Sequence, residues 1–95
     1  MVVDVTTFRL ADGVSADEFL GLDRRIQTEL VPNRPGFLRR TTARRDGKWV
    51  VVTLWSTEGD ARAFHADVAG HELLTAFQQF VAPGSVNSAR YDTLD

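Results

Sequence analysis

An α+β ferredoxin-like fold is what this sequence predicts: the order β-α-β-β-α-β, four antiparallel strands in one sheet and both helices on the same face. Three features carry the prediction. A β-hairpin with an Asp46-Gly47 turn lies at the centre of the chain, a capped amphipathic helix precedes it, and a second helical region with a short strand-like tail follows it. The 95 residues amount to one domain, expected to run from 1 to 95.

Val2 to Leu10 (VVDVTTFRL) is β-branched and roughly alternating, the pattern of a first strand, and Ala11-Asp12-Gly13 ends it with turn chemistry. Ser15 and Glu18 have the spacing of a capping box, in which the hydroxyl accepts from the amide three residues on and the carboxylate reaches back. Phe19, Leu22, Ile26 and Leu30 then make one apolar stripe at helical spacing, with Asp23, Arg24, Arg25 and Gln27 mostly away from it. Pro32 ends the helix.

Pro35 to Trp55 reads as the hairpin, because Asp-Gly meets the demand of a type I′ turn for positive φ at both central residues. That turn sets Arg45 opposite Lys48, Arg44 opposite Trp49, Arg40 opposite Thr53 and Leu38 opposite Trp55. One face then carries Leu38, Arg40, Thr42, Arg44, Trp49, Val51, Thr53 and Trp55, and the other carries Phe37, Arg39, Thr41, Ala43, Val50, Val52 and Leu54. After Trp55, Ser56 or Thr57 can cap a second helical region. Ala61, Phe64, His65 and Val68 form a short stripe there, Gly70 interrupts, and Leu73, Leu74, Phe77, Phe80 and Val81 form a longer one up to Pro83-Gly84. Val86 to Leu94 has the length and composition of a last strand.

Helices cover only one face of such a sheet. Either Trp49, Val51 and Trp55, or Val50, Val52 and Leu54, are left on the other, and each large apolar side chain kept from water is worth about 1.5–3 kcal/mol. A second copy of the chain would cover that patch, so a homodimer is expected.

The charge balance of −2, from thirteen acids and eleven bases, argues against a dedicated nucleic-acid binder. Arg39, Arg40, Arg44, Arg45 and Lys48 gather locally, but no aromatic platform alternates with them, and they read as a solvated strand edge. The absence of cysteine excludes thiol nucleophiles, disulfides and thiolate metal sites. No run approaches the ~20 apolar residues of a membrane span, and the start has no basic-then-apolar leader pattern, which makes the cytoplasm the expected compartment.

PGF followed by the DG hairpin, then VVVTLWST, a helix with Ala63-Phe64-His65, and His71 six residues on, resembles the antibiotic biosynthesis monooxygenase family of the dimeric α/β-barrel superfamily. The resemblance runs from Val2 to about Tyr91. It implies a homodimer whose two sheets form a barrel, with a cavity between sheet and helices in each subunit. Members include cofactor-independent oxygenases of polycyclic phenols, haem-degrading enzymes and signal-degrading proteins. Many carry Glu where this chain has Thr53, so a carboxylate is missing here. The haem-degrading branch fits poorly: the first strand offers Thr6 and Thr7 in place of its Asn, Phe64 stands for its helical Trp, and His71 lies only near the axial position.

His65 is the candidate catalytic acid/base, since imidazole titrates near neutrality and suits proton transfer to or from a phenol; a helix residue bonded to the backbone is the alternative. Trp55 and Phe64 are candidate walls of a substrate pocket, and His71 a further substrate contact. Trp49, near the turn, is expected at a rim or dimer contact. Arg40 in mid-strand needs a counter-charge, from Asp4, Asp92, Glu18 or a symmetry mate, or else holds a substrate oxyanion, with the ion pair favoured. Of Arg90 and Tyr91 only one can face inward. No metal is expected, because His65 and His71 do not share a helical face. No nucleophile elbow, phosphate loop or dinucleotide fingerprint is present, so no flavin, nicotinamide or other cofactor is expected. The function expected is cofactor-independent oxidation of an aromatic, phenolic or quinone-like metabolite; a non-catalytic carrier of small apolar ligands and a cyclase or isomerase are the rivals.

Overall fold

A computed structural model describes residues 1–94, so that Asp95, the last residue of the predicted domain, lies outside the described residues. The order is β1 (Val2–Phe8), α1 (Ala16–Arg25) continued by a π-helical turn (Ile26–Leu30), β2 (Phe37–Arg45), β3 (Lys48–Trp55), α2 (Glu58–Val68), α3 (Glu72–Phe80) and β4 (Asn87–Asp92). The four strands form one antiparallel sheet in the order β2-β3-β1-β4, the ferredoxin-like arrangement. The second helical region is two helices, parted at Ala69 and Gly70.

Local chemistry sets the boundaries. Ser15 accepts from the Glu18 amide at 3.1 Å while its own amide donates to the Glu18 carboxylate at 3.2 Å, closing the capping box. Thr57 caps α2 by accepting from the Asp60 amide at 3.0 Å. Asp46 and Gly47 have φ of 51° and 79°, as the hairpin turn requires.

The hairpin register departs from expectation at one residue. Phe37 stands opposite Trp55 and Arg39 opposite Leu54, so Leu38 is bulged out and has no partner. The bulge has a packing reason: it brings the Phe37 ring to 5.8 Å from Trp55 on the helix side and turns Leu38 outward. From Arg39 onward the register is the predicted one.

Trp49, Val51 and Trp55 lie under the helices and are buried, together with Val2 and Phe8 of β1. Trp49 is a core residue and not the rim or dimer contact expected from its place beside the turn. Phe8, Phe19 and Phe77 enclose it, and Phe19 lies 4.9 Å from its ring. A second cluster gathers Trp55, Phe64, Leu22, Ile26, Leu30 and Val68 at the opposite end. The other face of the sheet carries Val3 and Val5 against Leu54 and Val52, flanked by Tyr91 and Ala89, and no helix among the described residues packs on it. Of the two sets that the sequence left open, it is Val50, Val52 and Leu54 that lie on this face, half-buried. No helix among the described residues is long and apolar enough to cross a membrane.

Gly36 has a φ of 77°, and a Cβ placed there would overlap the Asp60 side chain at the start of α2. At Gly47 (φ 79°) the only near neighbour is the flexible Arg9 guanidinium. Gly47→Ala should therefore cost about 1–2 kcal/mol of stability, the left-handed penalty alone, and Gly36→Ala distinctly more, read from urea unfolding midpoints. Equal losses at the two sites would contradict the close approach of Gly36 to α2.

Candidate active site

Strand pairing lays a row of polar side chains across the helix-covered face. Arg40 of β2 stands opposite Thr53 of β3, Thr53 opposite Asp4 of β1, and Asp4 opposite Arg90 of β4. At the usual strand spacing the row is about 14 Å long. Charges in such a place must be paired, because an unpartnered buried ion is strongly disfavoured.

Arg40 finds its counter-charge on the helix above. Its Nη2 donates to Asp23 Oδ1 at 2.7 Å and its Nη1 to Gln27 Oε1 at 3.3 Å, with side chains only 7% and 12% exposed for the Arg40–Asp23 pair. The ion pair is as expected, but the partner is none of those anticipated. Asp23 and Gln27 are also turned inward, not away from the core as the apolar stripe alone implied: they lie one turn apart on α1 and its extension, so both reach Arg40. In the π-helical turn, the Val31 amide donates to the Ile26 carbonyl at 3.2 Å.

The other end of the row is held by Asp4. Arg90 Nε donates to Asp4 Oδ1 at 2.6 Å and Nη2 to Oδ2 at 3.3 Å, while His65 Nε2 of α2 lies 3.1 Å from Oδ2. Arg90 is thus the inward member of its pair, and Tyr91 is 56% exposed on the opposite face. Burial pushes the Asp4 carboxyl up, but the hydrogen bonds from Arg90 and His65, with the Arg90 charge, outweigh it and hold the group below its ordinary value. One strand pair along, Thr6 and Ser88 hydroxyls are 3.0 Å apart.

Over this row lies a cavity of about 460 Å³ between sheet and helices. Asp4, Thr6, Arg40, Thr53 and Ser88 form its polar floor, and Trp55, Phe64, Ile26, Leu74 and Phe77 its apolar walls, with His65 at one side. Trp55 and Phe64 pack with centroids 5.0 Å apart. Trp55 is 1% exposed, yet among the described residues its indole N–H has no hydrogen-bond partner. The structure therefore brings Arg40, Trp55, Phe64 and His65 to one cavity. It does not bring His71, which caps α3 by accepting the Leu73 amide on Nδ1 at 3.0 Å and is not in the lining. A larger, more open depression of about 650 Å³ lies between the hairpin tip and the β1–α1 loop, but no histidine borders it. Among the described residues no three His, Asp or Glu side chains cluster as a metal site would require.

Asp4, Thr6 and Ser88 were not singled out as site residues. The signal was present for the first two: alternation along β1 places Val2, Asp4, Thr6 and Phe8 on one face, with two polar residues between buried apolar ones.

Replacing Arg40 with Met leaves Asp23 buried without a counter-charge and should lower stability by about 3–5 kcal/mol. Adding Asp23→Leu should recover most of that loss; a single variant as stable as the parent would contradict the pairing. Asp4 contributes pH dependence with a definite sign. Because its folded value is depressed, its contribution is complete above the unfolded value near 3.8 and fades as pH falls through the folded one. The stability difference between the protein and its Asp4→Asn variant should hence shrink as pH falls below about 4. A constant difference in denaturant midpoints down to pH 2 would refute it.

Neither protein-family sequence models nor curated protein sequences give a match to the chain. Solved structures do. SnoaB, a cofactor-independent oxygenase from Streptomyces nogalater, superposes with a TM-score of 0.83 over 99% of this chain and 93% of its own, at 20% identity. A structure described as an antibiotic biosynthesis monooxygenase gives 0.79 over the whole of both chains at 14% identity. A dimeric ferredoxin-like protein of unknown function from Thermobifida fusca gives 0.77 over 97% and 90%, at 14% identity. The chain has the ferredoxin-like fold of the antibiotic biosynthesis monooxygenases.

Proposed function

We propose that the protein is a small cofactor-independent monooxygenase, acting as a cytoplasmic homodimer on a hydroxyaryl or quinone-like metabolite held in the cavity over the polar row. The observation that carries this reading is a cavity walled by Trp55 and Phe64 whose formal charges are already matched as Asp4 with Arg90 and Asp23 with Arg40. Such a cavity favours a flat, uncharged ligand over an anion, because neither arginine is left without a carboxylate. Phe64 and Trp55 offer apolar surface to its rings. The oxygenase described for SnoaB, on the same fold, supports the choice of chemistry.

In this scheme His65 takes the proton of the ligand hydroxyl, and the electron-rich phenolate then passes an electron to dioxygen. Recombination and O–O cleavage leave one oxygen atom on the ring as a carbonyl and release the other as water. An anthrone methylene consumes one O₂, loses two hydrogens and yields one quinone and one water. No external reductant is needed.

Oxygen uptake with 1,8-dihydroxyanthrone and no added cofactor tests the proposal. The expected result is uptake above the enzyme-free rate with one O₂ per quinone formed, and a loss of about 10²-fold in kcat for His65→Gln. Ligand binding with no uptake would instead leave a carrier of small apolar molecules, and conversion to a product of unchanged oxidation state under strict anaerobiosis an isomerase or cyclase. The open sheet face supports the homodimer, which sedimentation equilibrium at micromolar concentration should find; a stable single-chain species would overturn it.

A further inference from the structure

We infer that Asp4 is a positioning residue for His65: clamped by Arg90, it accepts the Nε2 proton of the imidazole and so leaves Nδ1 as the nitrogen that takes a proton from the ligand. The inference rests on the preceding reading that a hydroxyaryl ligand enters the cavity.

Three elements converge to make this arrangement. Asp4 is fixed from below by two hydrogen bonds from Arg90 across the β1–β4 pairing, at 2.6 and 3.3 Å. From above, α2 brings His65 Nε2 to 3.1 Å from Oδ2. A carboxylate so clamped has acceptors only, and the imidazole nitrogen that meets it must therefore be the donor. In neutral histidine one nitrogen carries the proton and the other is an acceptor; fixing Nε2–H makes Nδ1 the free lone pair. The ring is also held sideways by Phe64, whose centroid lies 5.4 Å away at 70°. His65 keeps a half-exposed side chain and borders the cavity, whereas Asp4 is largely covered. The exposed partner can therefore meet a ligand while the covered one orients it. When Nδ1 takes the ligand proton, the O–H bond breaks, an N–H bond forms, and the resulting imidazolium sits against the Asp4 carboxylate. This is the orienting logic of carboxylate–imidazole pairs in hydrolytic enzymes, here built from a strand and a helix.

His71 supplies an internal contrast. Its Nδ1 accepts the Leu73 amide at 3.0 Å and is occupied by the fold. The two histidines of the chain thus have opposite availabilities at the same atom.

The test has two arms. In the first, 1,2-dihydroxyanthraquinone is titrated with protein at a pH where the free dye is protonated, and its visible spectrum reports the protonation state of the bound form. The parent protein should shift bound dye toward the anion spectrum. At saturating protein, Asp4→Asn and His65→Gln should leave the bound dye protonated, and Asp4→Glu should restore part of the shift. The second arm needs no ligand: imidazole ¹⁵N chemical shifts distinguish a protonated ring nitrogen from one with a free lone pair, and so report the tautomer of each neutral histidine. His65 should be the Nε2–H tautomer in the parent and in Asp4→Glu and a mixture of tautomers in Asp4→Asn, with His71 unchanged in all three proteins. Equal His65 tautomer populations in the parent and Asp4→Asn, or equal bound-dye spectra, overturn the inference. If no protein binds the dye yet the tautomers follow this order, the positioning role stands and it is the ligand reading that falls.

Discussion

Two carboxylate–guanidinium pairs laid into an otherwise apolar helix–sheet interface constrain the remainder of this structure. Arg40 and Asp4 occupy strand positions that face the helix-covered side of the sheet, so neither can turn to water without breaking the alternation of its strand. Each must be met by a counter-charge from another element. Arg40 draws in Asp23, which fixes the rotation of α1 about its own axis and places Gln27 beside it. Asp4 draws in Arg90, which decides that β4 presents Arg90 inward and Tyr91 outward. Ion pairs of this kind are weak evidence for net stability, since hydrophobic replacements are often as good. Their effect here is on geometry: they select one orientation for each element that touches them.

The same pairs account for the cavity. At the hairpin-tip end, Phe8, Phe19, Trp49 and Phe77 fill the interface with rings whose centroids lie 4.9 to 6.5 Å apart. At the Trp55 end, Phe37 and Phe64 pack on the indole in the same manner. Between the two clusters the polar row replaces large apolar side chains with Thr53, Thr6, Ser88 and the paired ions. Hydroxyls and salt bridges fill less space than phenyl rings, and their directional bonds prevent collapse onto the gap. A space with apolar walls, a polar floor and a histidine at its side follows from that substitution of packing by pairing, and it is chemistry of this kind that the proposed oxidation would use.

The sequence made much of this legible. The Ser15–Glu18 box, the Asp46-Gly47 turn, the helical stripes and the position of Gly70 are local signals, each with its own mechanism, and the element order followed from them. What it concealed was non-local. The bulge at Leu38 arises because Phe37 gains more by packing on Trp55 than an unbroken ladder would give, a preference visible only once both strands are paired. Asp23 read as solvent-facing because its inward turn answers a charge on a strand seventeen residues later. The Asp4–His65 contact spans sixty-one residues, and only the strand order places β1 beneath α2. Trp49 was misplaced for a related reason: proximity to a turn suggested a rim, whereas Phe8 of β1 and Phe19 of α1 pack on its ring. Arg40, Trp55, Phe64 and His65 were legible as cavity residues because a mid-strand charge and strand-end aromatics stand out from their surroundings, and the resemblance pointed the same way; the histidine at 71 stood out equally and serves a helix cap.

The most direct measurement is a crystal structure of the protein soaked with 1,8-dihydroxyanthraquinone, a stable analogue of the expected product. The account predicts the rings lodged against Phe64 and Trp55 above the polar row, with a ligand oxygen within hydrogen-bond distance of His65 Nδ1. Density for the ligand only at the hairpin-tip depression or on the open sheet face, with the cavity over Asp4 and Arg40 left to water, would contradict it.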